Sequence, residues 1–209
     1  MYSSNSKIYC EALTYLENGV DLMKRLVIIT VGKTHSGKTT FAKALEQQLQ
    51  QSLVIDQDNH ADFINTYYKA LLPRQGPNII KYNITQTIVD YAVNVTPFHL
   101  ILCNSNRSRK GRLDLLSHFK NKSFHSILVN FDIPDHVLQA RVTNSQRSTN
   151  VFRSASTFEE VLIRQQADSH KVDVVAPTEG EADHLFVIKS ADDVQSVIER
   201  IVHIAQALA

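Results

Sequence analysis

Five short apolar runs constrain the fold of this chain more than any other feature: LVIITV at 26–31, SLVID at 52–56, HLILCN at 99–104, SILVNFDI at 126–133 and HLFVIK at 184–189. Each is rich in β-branched residues, and the hydrophobicity is continuous rather than alternating. Such runs suit strands covered on both faces by helices. Segments of helical period lie between them. Residues 38–50 form one, and Ile80, Ile84, Ile88, Tyr91 and Val95 mark the apolar face of another at spacings near four. Leu113, Leu116 and Phe119 mark a third. A further helix is expected to start at Pro134, whose fixed φ and missing N–H suit the first helical position, with Asp135 beside the positive helix end. In SASTFEEVLIRQ, Ser156 and Glu159 have capping-box spacing, and Phe158, Val161, Leu162 and Gln165 share a face. Val194, Val197, Ile201, Ile204 and Leu208 define the last helix. Right-handed crossovers then predict a three-layer α/β domain, a five-stranded parallel sheet with helices on both faces and ligands at the C-terminal strand edge.

Composition narrows the class. At 209 residues and 43% hydrophobic content the chain buries one sizeable core. A formal net charge of +1 provides no global attraction to nucleic acid or anionic membrane. There are two cysteines, and Cys103 sits inside an apolar run, which argues against a disulfide framework or a zinc site and for a reducing compartment. The first residues lack a basic region followed by an apolar core, and no apolar run approaches the ~18 residues of a membrane span. The reading is a soluble, cytoplasmic protein. Tyr9, Leu13, Leu16 and Val20 predict a helical extension over residues 1–25, ahead of a domain over 26–209.

The stretch VGKTHSGKTT follows the first apolar run. Gly32, Gly37, Lys38 and Thr39 satisfy G-x-x-x-x-G-K-[ST], directly after a predicted strand and before a predicted helix, the context this motif requires. Glycines let the backbone wrap round phosphate oxygens, while free N–H groups and the dipole at a helix start attract negative charge. The candidate phosphate-binding residues are therefore Gly32, Lys33, Thr34, His35, Ser36, Gly37, Lys38, Thr39 and Thr40. Lys38 is expected to bridge β and γ phosphates, and the Thr39 hydroxyl to ligate Mg²⁺. His35 reads as a loop filler.

The second strand ends in VIDQDNHADF, placing Asp56 and Asp58 at the same sheet edge. Asp58 is assigned as the base that takes a proton from an acceptor hydroxyl, and Asp56 as a ligand of the metal or its water. The reverse assignment stays open, as does simple N-capping by Asp58. At the end of the third strand, where a metal-holding aspartate is expected, stands Asn104. Arg107, Arg109, Lys110 and Arg112 then crowd a helix start, where the dipole disfavours cations, so either an anionic group compensates them or they form a solvated basic face. Arg141, Arg147 and Arg153 span a polar stretch that reads as an arginine-containing lid over about 143–156, or as a plain solvated loop.

These residues resemble the P-loop kinase group that contains polynucleotide kinases, zeta toxins and chloramphenicol phosphotransferases, over roughly residues 26–190. The resemblance implies a P-loop NTPase fold, ATP and Mg²⁺ as cofactors, Lys38, Asp58, Arg147 and Arg153 as catalytic residues, and Thr39 and Asp56 at the metal. It also implies that VAPTEGEADHLFVI flanks adenine, with Pro177, Thr178 and Glu179 bordering the base. Asn104 departs from the acidic pattern of that group. The expected activity is transfer of a γ-phosphoryl group to a hydroxyl of a small molecule, such as a nucleoside or sugar, or of a nucleic-acid end, the last disfavoured by neutral overall charge. The alternative is a nucleotide-binding regulatory module with little or no transferase activity, whose support is Asn104.

Overall fold

The computed structural model describes residues 24–208 apart from Ser154. The helix expected in the first twenty-odd residues, and Cys10, lie outside the described residues. Strands β1 (Leu26–Val31), β2 (Ser52–Asp56), β3 (His99–Cys103), β4 (His125–Phe131) and β5 (His184–Ile188) form one sheet in the order β2-β3-β1-β4-β5, and all four pairings are parallel. The expected three-layer α/β architecture is thus present. The helices are α1 (Lys38–Gln48), α2 (Gln57–Tyr67), α3 (Ile79–Val95), α4 (Arg109–Lys120), α5 (Asp135–Thr143), α6 (Phe158–Asp168) and α7 (Asp193–Leu208). None of them is long and apolar enough to cross a membrane.

Period-two alternation within buried strands divides the core into two layers. Leu26 and Ile28 of β1 face one side, with Phe41, Leu45, Leu138, Leu162 and Ile198 from α1, α5, α6 and α7. Val27, Ile29 and Val31 face the other, with Val89, Val93, Leu116 and Phe119 from α3 and α4. Both faces of β1 are fully covered, which is why its six residues read as one uninterrupted apolar run. The chain leaves β1, places β2 two positions away, returns to β3 and then crosses to β4 on the far side. Strand order therefore reverses at β1, and the crevice beyond its C-terminal end is where ligands gather in open α/β sheets.

Three local expectations are corrected. The buried stripe of α3 is Thr85, Val89, Ala92 and Val93, about one residue round from the isoleucine face, and Tyr91 is exposed. Thr85 tolerates burial because its hydroxyl donates to the Lys81 carbonyl at 2.9 Å. Pro134 occupies the cap of α5 with ψ 142° rather than its first turn, while Asp135 does stand in that turn. At α6 the capping pair moves by one: the Thr157 hydroxyl accepts from the Glu160 amide at 3.2 Å, and the Glu160 carboxylate accepts from the Ser156 amide at 2.9 Å.

Candidate active site

The turn between β1 and α1 begins and ends with glycines that no other residue replaces without strain. Gly32 has φ +153° and Gly37 φ +102°, and a Cβ on Gly32 would come within 3.0 Å of both the Phe131 Cβ and the Ser36 hydroxyl. The Gly32 amide donates to the Ser105 carbonyl at 2.9 Å, so the start of the turn is pinned to the segment following β3. Asn106 adds a second tie, donating to the Thr30 carbonyl at 2.9 Å. The turn then opens on a cavity of about 640 Å³, lined on this side by Thr34 to Thr40. Gly32 and Lys33 lie outside it, along a cavity of about 210 Å³, and the Lys33 ammonium pairs with Asp135 at 2.5 Å.

Lys38 is folded back into the turn, donating to the Lys33 carbonyl at 2.5 Å and the Ser36 hydroxyl at 3.2 Å. Burial lowers its ammonium to about 8, against partial support from the carboxylates of Asp58 and Asp56. The Thr34 amide donates to the Gln165 side-chain oxygen at 2.6 Å, so a carboxamide of α6 occupies one of the nest donors. His35 does more than fill the loop. It adopts φ 58°, its ring meets the Ser145 hydroxyl at 2.7 Å and lies edge-on to Phe158, and its carbonyl accepts from Arg141 at 3.1 Å. Burial, with Arg147, Lys38 and Arg141 nearby, lowers its imidazole to about 4.

Opposite the turn, the end of β2 brings both expected aspartates to the cavity. Asp56 is buried, and it, not Asp58, caps α2 by accepting from the Asp58 amide at 2.9 Å. Its other carboxylate oxygen accepts from the Thr39 hydroxyl at 3.1 Å. Asp58, in the first turn of α2, pairs with Arg147 at 3.2 Å, the two side chains being 51% and 41% exposed. Arg147 also lies 5.0 Å over the Phe158 ring.

The side chain that the end of β3 places against Thr39 is Cys103, at 3.5 Å, rather than Asn104. Asn104 turns instead to Gln57, donating to its side-chain oxygen at 3.1 Å. The run HLILC thus ends in a thiol one residue before the position where a carboxylate is expected. Burial raises that thiol to about 11, so it is protonated at neutral pH. Thr39 and Asp56 together offer a hydroxyl and a carboxylate, hard oxygen donors that fit Mg²⁺ when phosphate oxygens and water complete the shell. Among the described residues no cluster of three or more His, Cys, Asp or Glu is placed to hold a metal unaided.

Other expected residues lie elsewhere. Arg153 does not line the cavity; its guanidinium reaches the Pro73 carbonyl at 3.5 Å, whereas Arg141 and Arg147 do line it. Between α5 and α6 a short 3₁₀ turn, Thr149–Val151, is docked on α2, with Asn65 donating to the Asn150 and Phe152 carbonyls at 2.5 and 3.1 Å. Pro177 does not border the cavity either. It lies on a turn held by Glu181, which accepts from the Thr178 amide at 3.1 Å and from Arg112 at 3.1 and 3.3 Å. The cavity is also lined by Ser190 and Ala191, between β5 and α7, and by Val194 in the first turn of α7. The basic run at the start of α4 meets partners within the chain. Arg112 is fully buried on Glu181, the Arg107 guanidinium donates to the Ser169 hydroxyl, and Asp173 accepts from the Lys110 amide and the Ser108 hydroxyl. Two acids of the chain itself therefore compensate the cations at the positive end of this helix.

The five-stranded parallel sheet and the glycine-rich turn between β1 and α1 define a P-loop NTPase-like α/β fold. A model of the AAA domain family matches residues 27–172, and the chain belongs to that family. Similar solved structures include a sugar kinase from Janibacter sp. (17% identical, covering 88% of this chain and 98% of that one, TM-score 0.56) and Kti12 from Chaetomium thermophilum in complex with ADP-AlF3 (18%, 84% and 96%, 0.56). An APS kinase from Mycobacterium tuberculosis, in complex with AMPPNP and APS, is also similar (15%, 85% and 98%, 0.53). Comparison with curated proteins yields no match.

Proposed function

We propose that the chain is an ATP- and Mg²⁺-dependent phosphotransferase that moves the γ-phosphoryl group to a hydroxyl of a small molecule. The observation that carries this reading is the convergence of Lys38, the Thr39–Asp56 pair and the Asp58–Arg147 pair on one cavity beyond the ends of β1, β2 and β3. Kinases among the structures that share the fold support it, as do the ADP-AlF3 and AMPPNP that two of them contain.

The amides of Thr34 to Thr40 hold the phosphate tail, and Lys38 leaves the Lys33 carbonyl to bridge its outer phosphates. Thr39 and Asp56 would hold Mg²⁺, which supplies positive charge to the phosphates when bound. Asp58 takes the proton of the acceptor hydroxyl. That oxygen forms a bond to the γ-phosphorus as the bond to the β–γ bridging oxygen breaks, and ADP departs with the electron pair. For Asp58 to act as base, Arg147 must release it, and the γ-phosphoryl oxygens are the alternative partner within the same cavity. One guanidinium thus frees the base as it meets the transferring charge.

The test is incubation with γ-labelled ATP, magnesium and a fractionated panel of metabolites and oligonucleotides, for the parent, Lys38→Ala and Asp58→Asn. The expected result is label transfer by the parent, loss of nucleotide affinity in Lys38→Ala, and retained binding without transfer in Asp58→Asn. Transfer at the parental rate by Asp58→Asn would contradict the base assignment. The thiol of Cys103 beside Thr39 favours a second reading, a regulatory module that binds nucleotide without transferring phosphate. Nucleotide binding with no transfer to any fraction, together with a nucleotide-dependent partner, would support that reading instead.

A further inference from the structure

A second cleft of about 350 Å³ lies between α3 and α4 at the ends of β2 and β3, on the sheet face opposite α1. It shares Cys103 and Asn104 with the phosphate cavity. Asn104, which lines both spaces, donates to Gln57, which lines the second, and the residue after Gln57 is Asp58, which lines the phosphate cavity. The cleft falls at the lower end of the size range of small-molecule sites.

Its chemistry is selective. The polar walls carry the carboxamides of Gln57, Gln86, Asn104 and Asn106, the carboxylate of Asp114 and the imidazole of His118, and none of the lining residues is a lysine or arginine. The Nε2 of His118 is buried and has no hydrogen-bond partner among the described residues, a cost that a ligand hydroxyl would remove. Val89, Leu102 and Phe119 provide an apolar floor. A phosphate or carboxylate here would meet Asp114 with no cation to pair it. A neutral polyhydroxyl compound matches the set, because carboxamides both donate and accept, the carboxylate accepts from hydroxyls, and C–H faces rest on the floor.

Resting on the phosphotransferase reading, we infer that this cleft holds the phosphate acceptor and that the acceptor is a neutral polyhydroxylated molecule of the sugar, cyclitol or nucleoside class. Opening the Gln57–Asn104 bond connects the bound hydroxyl with Asp58. Saturation-transfer NMR on the full chain with D-ribose, D-glucose, myo-inositol and adenosine tests this, with ribose 5-phosphate as the charged counterpart and Mg²⁺-ATP binding measured in parallel. The expected result is saturation transfer to at least one neutral probe. Its dissociation constant rises at least about tenfold in Gln86→Tyr, which fills the mouth from an exposed helix position, and in His118→Leu, with ATP affinity unchanged. Three outcomes overturn the inference while ATP still binds: a silent neutral panel, unchanged probe affinity in both variants, or tighter binding of ribose 5-phosphate than of ribose. Absence of ATP binding overturns the phosphotransferase reading, and the acceptor role of the cleft falls with it.

Discussion

At the scale of single residues, the site is defined by how burial and charge tune Lys38 and His35. An ammonium lowered to about 8 is partly deprotonated just above neutrality, and a polyphosphate placed beside it favours the charged form. Mg²⁺-ATP binding is therefore expected to take up protons at pH 8.5–9, approaching about one per site, and fewer at pH 7. Calorimetric titration in buffers of different ionisation enthalpy reads this directly, and Lys38→Met should abolish the uptake. His35 gives a stability signature. Its folded value of about 4 lies below the ordinary 6.5, so between those limits the unfolded chain binds the extra proton, and stability falls as pH drops through that window. In the nucleotide-free protein, thermal melts from pH 7 to 4.5 should show a shallower decline for His35→Gln than for the parent. Identical slopes would mean that the imidazole is not held neutral.

At the scale of elements, the helices are tied to the sheet edge by specific side chains, and two of these ties lead to predictions. Arg112 of α4 is fully buried and forked onto Glu181, with further bonds to the Asn106, Arg107 and Val175 carbonyls at 2.9 to 3.3 Å. Removing Arg112 leaves the Glu181 carboxylate with only the half-exposed Arg109 at 3.7 Å as a charged partner, so Arg112→Ala should destabilise by about 3–5 kcal/mol in denaturant unfolding. Burial alone would raise the Glu181 carboxyl, but Arg112 and Thr178 outweigh it and hold it below its ordinary value. That stabilisation is full above the ordinary glutamate value and is lost as pH falls through the folded one. The second tie is the Gln165 carboxamide on the Thr34 amide. It competes with phosphate oxygen for a nest donor, and Gln165→Ala should tighten ATP binding roughly 2- to 10-fold, the net worth of about 0.5–1.5 kcal/mol for one hydrogen bond.

The elements also show what sequence can and cannot carry. All five strands were legible to within two residues, because sheets covered on both sides demand unbroken apolar runs. The glycine-rich turn was legible because its glycines are dictated by backbone geometry. The capping pair of α6 was misplaced by one because Ser156/Glu159 and Thr157/Glu160 satisfy the same spacing, and only the backbone at Thr157 distinguishes them. The α3 face was misread because large aliphatics outweighed a threonine and an alanine that the fold in fact buries. The roles of Cys103 and Gln165 and the pairing of Arg112 with Glu181 depend on contacts between residues 60 or more positions apart, which periodicity does not encode.

At the scale of the whole molecule, strand order places the glycine-rich turn, both aspartates and the β3 terminus at one reversal point. A ligand gripped at that point stabilises the folded state by mass action, about 2.7 kcal/mol at a hundred times its dissociation constant. The midpoint of thermal unfolding should accordingly climb with ATP concentration in the parent and remain flat in Lys38→Ala. The central claim is that the nest from Thr34 to Thr40 holds a triphosphate tail. Isothermal titration of the full chain with Mg²⁺-ATP addresses it most directly: the account predicts one saturable site, weakened at least about tenfold by Lys38→Ala, in keeping with the ~1.5–3 kcal/mol of a charged hydrogen bond. A flat titration with both ATP and GTP at millimolar concentration, or equal affinity in parent and variant, would contradict it.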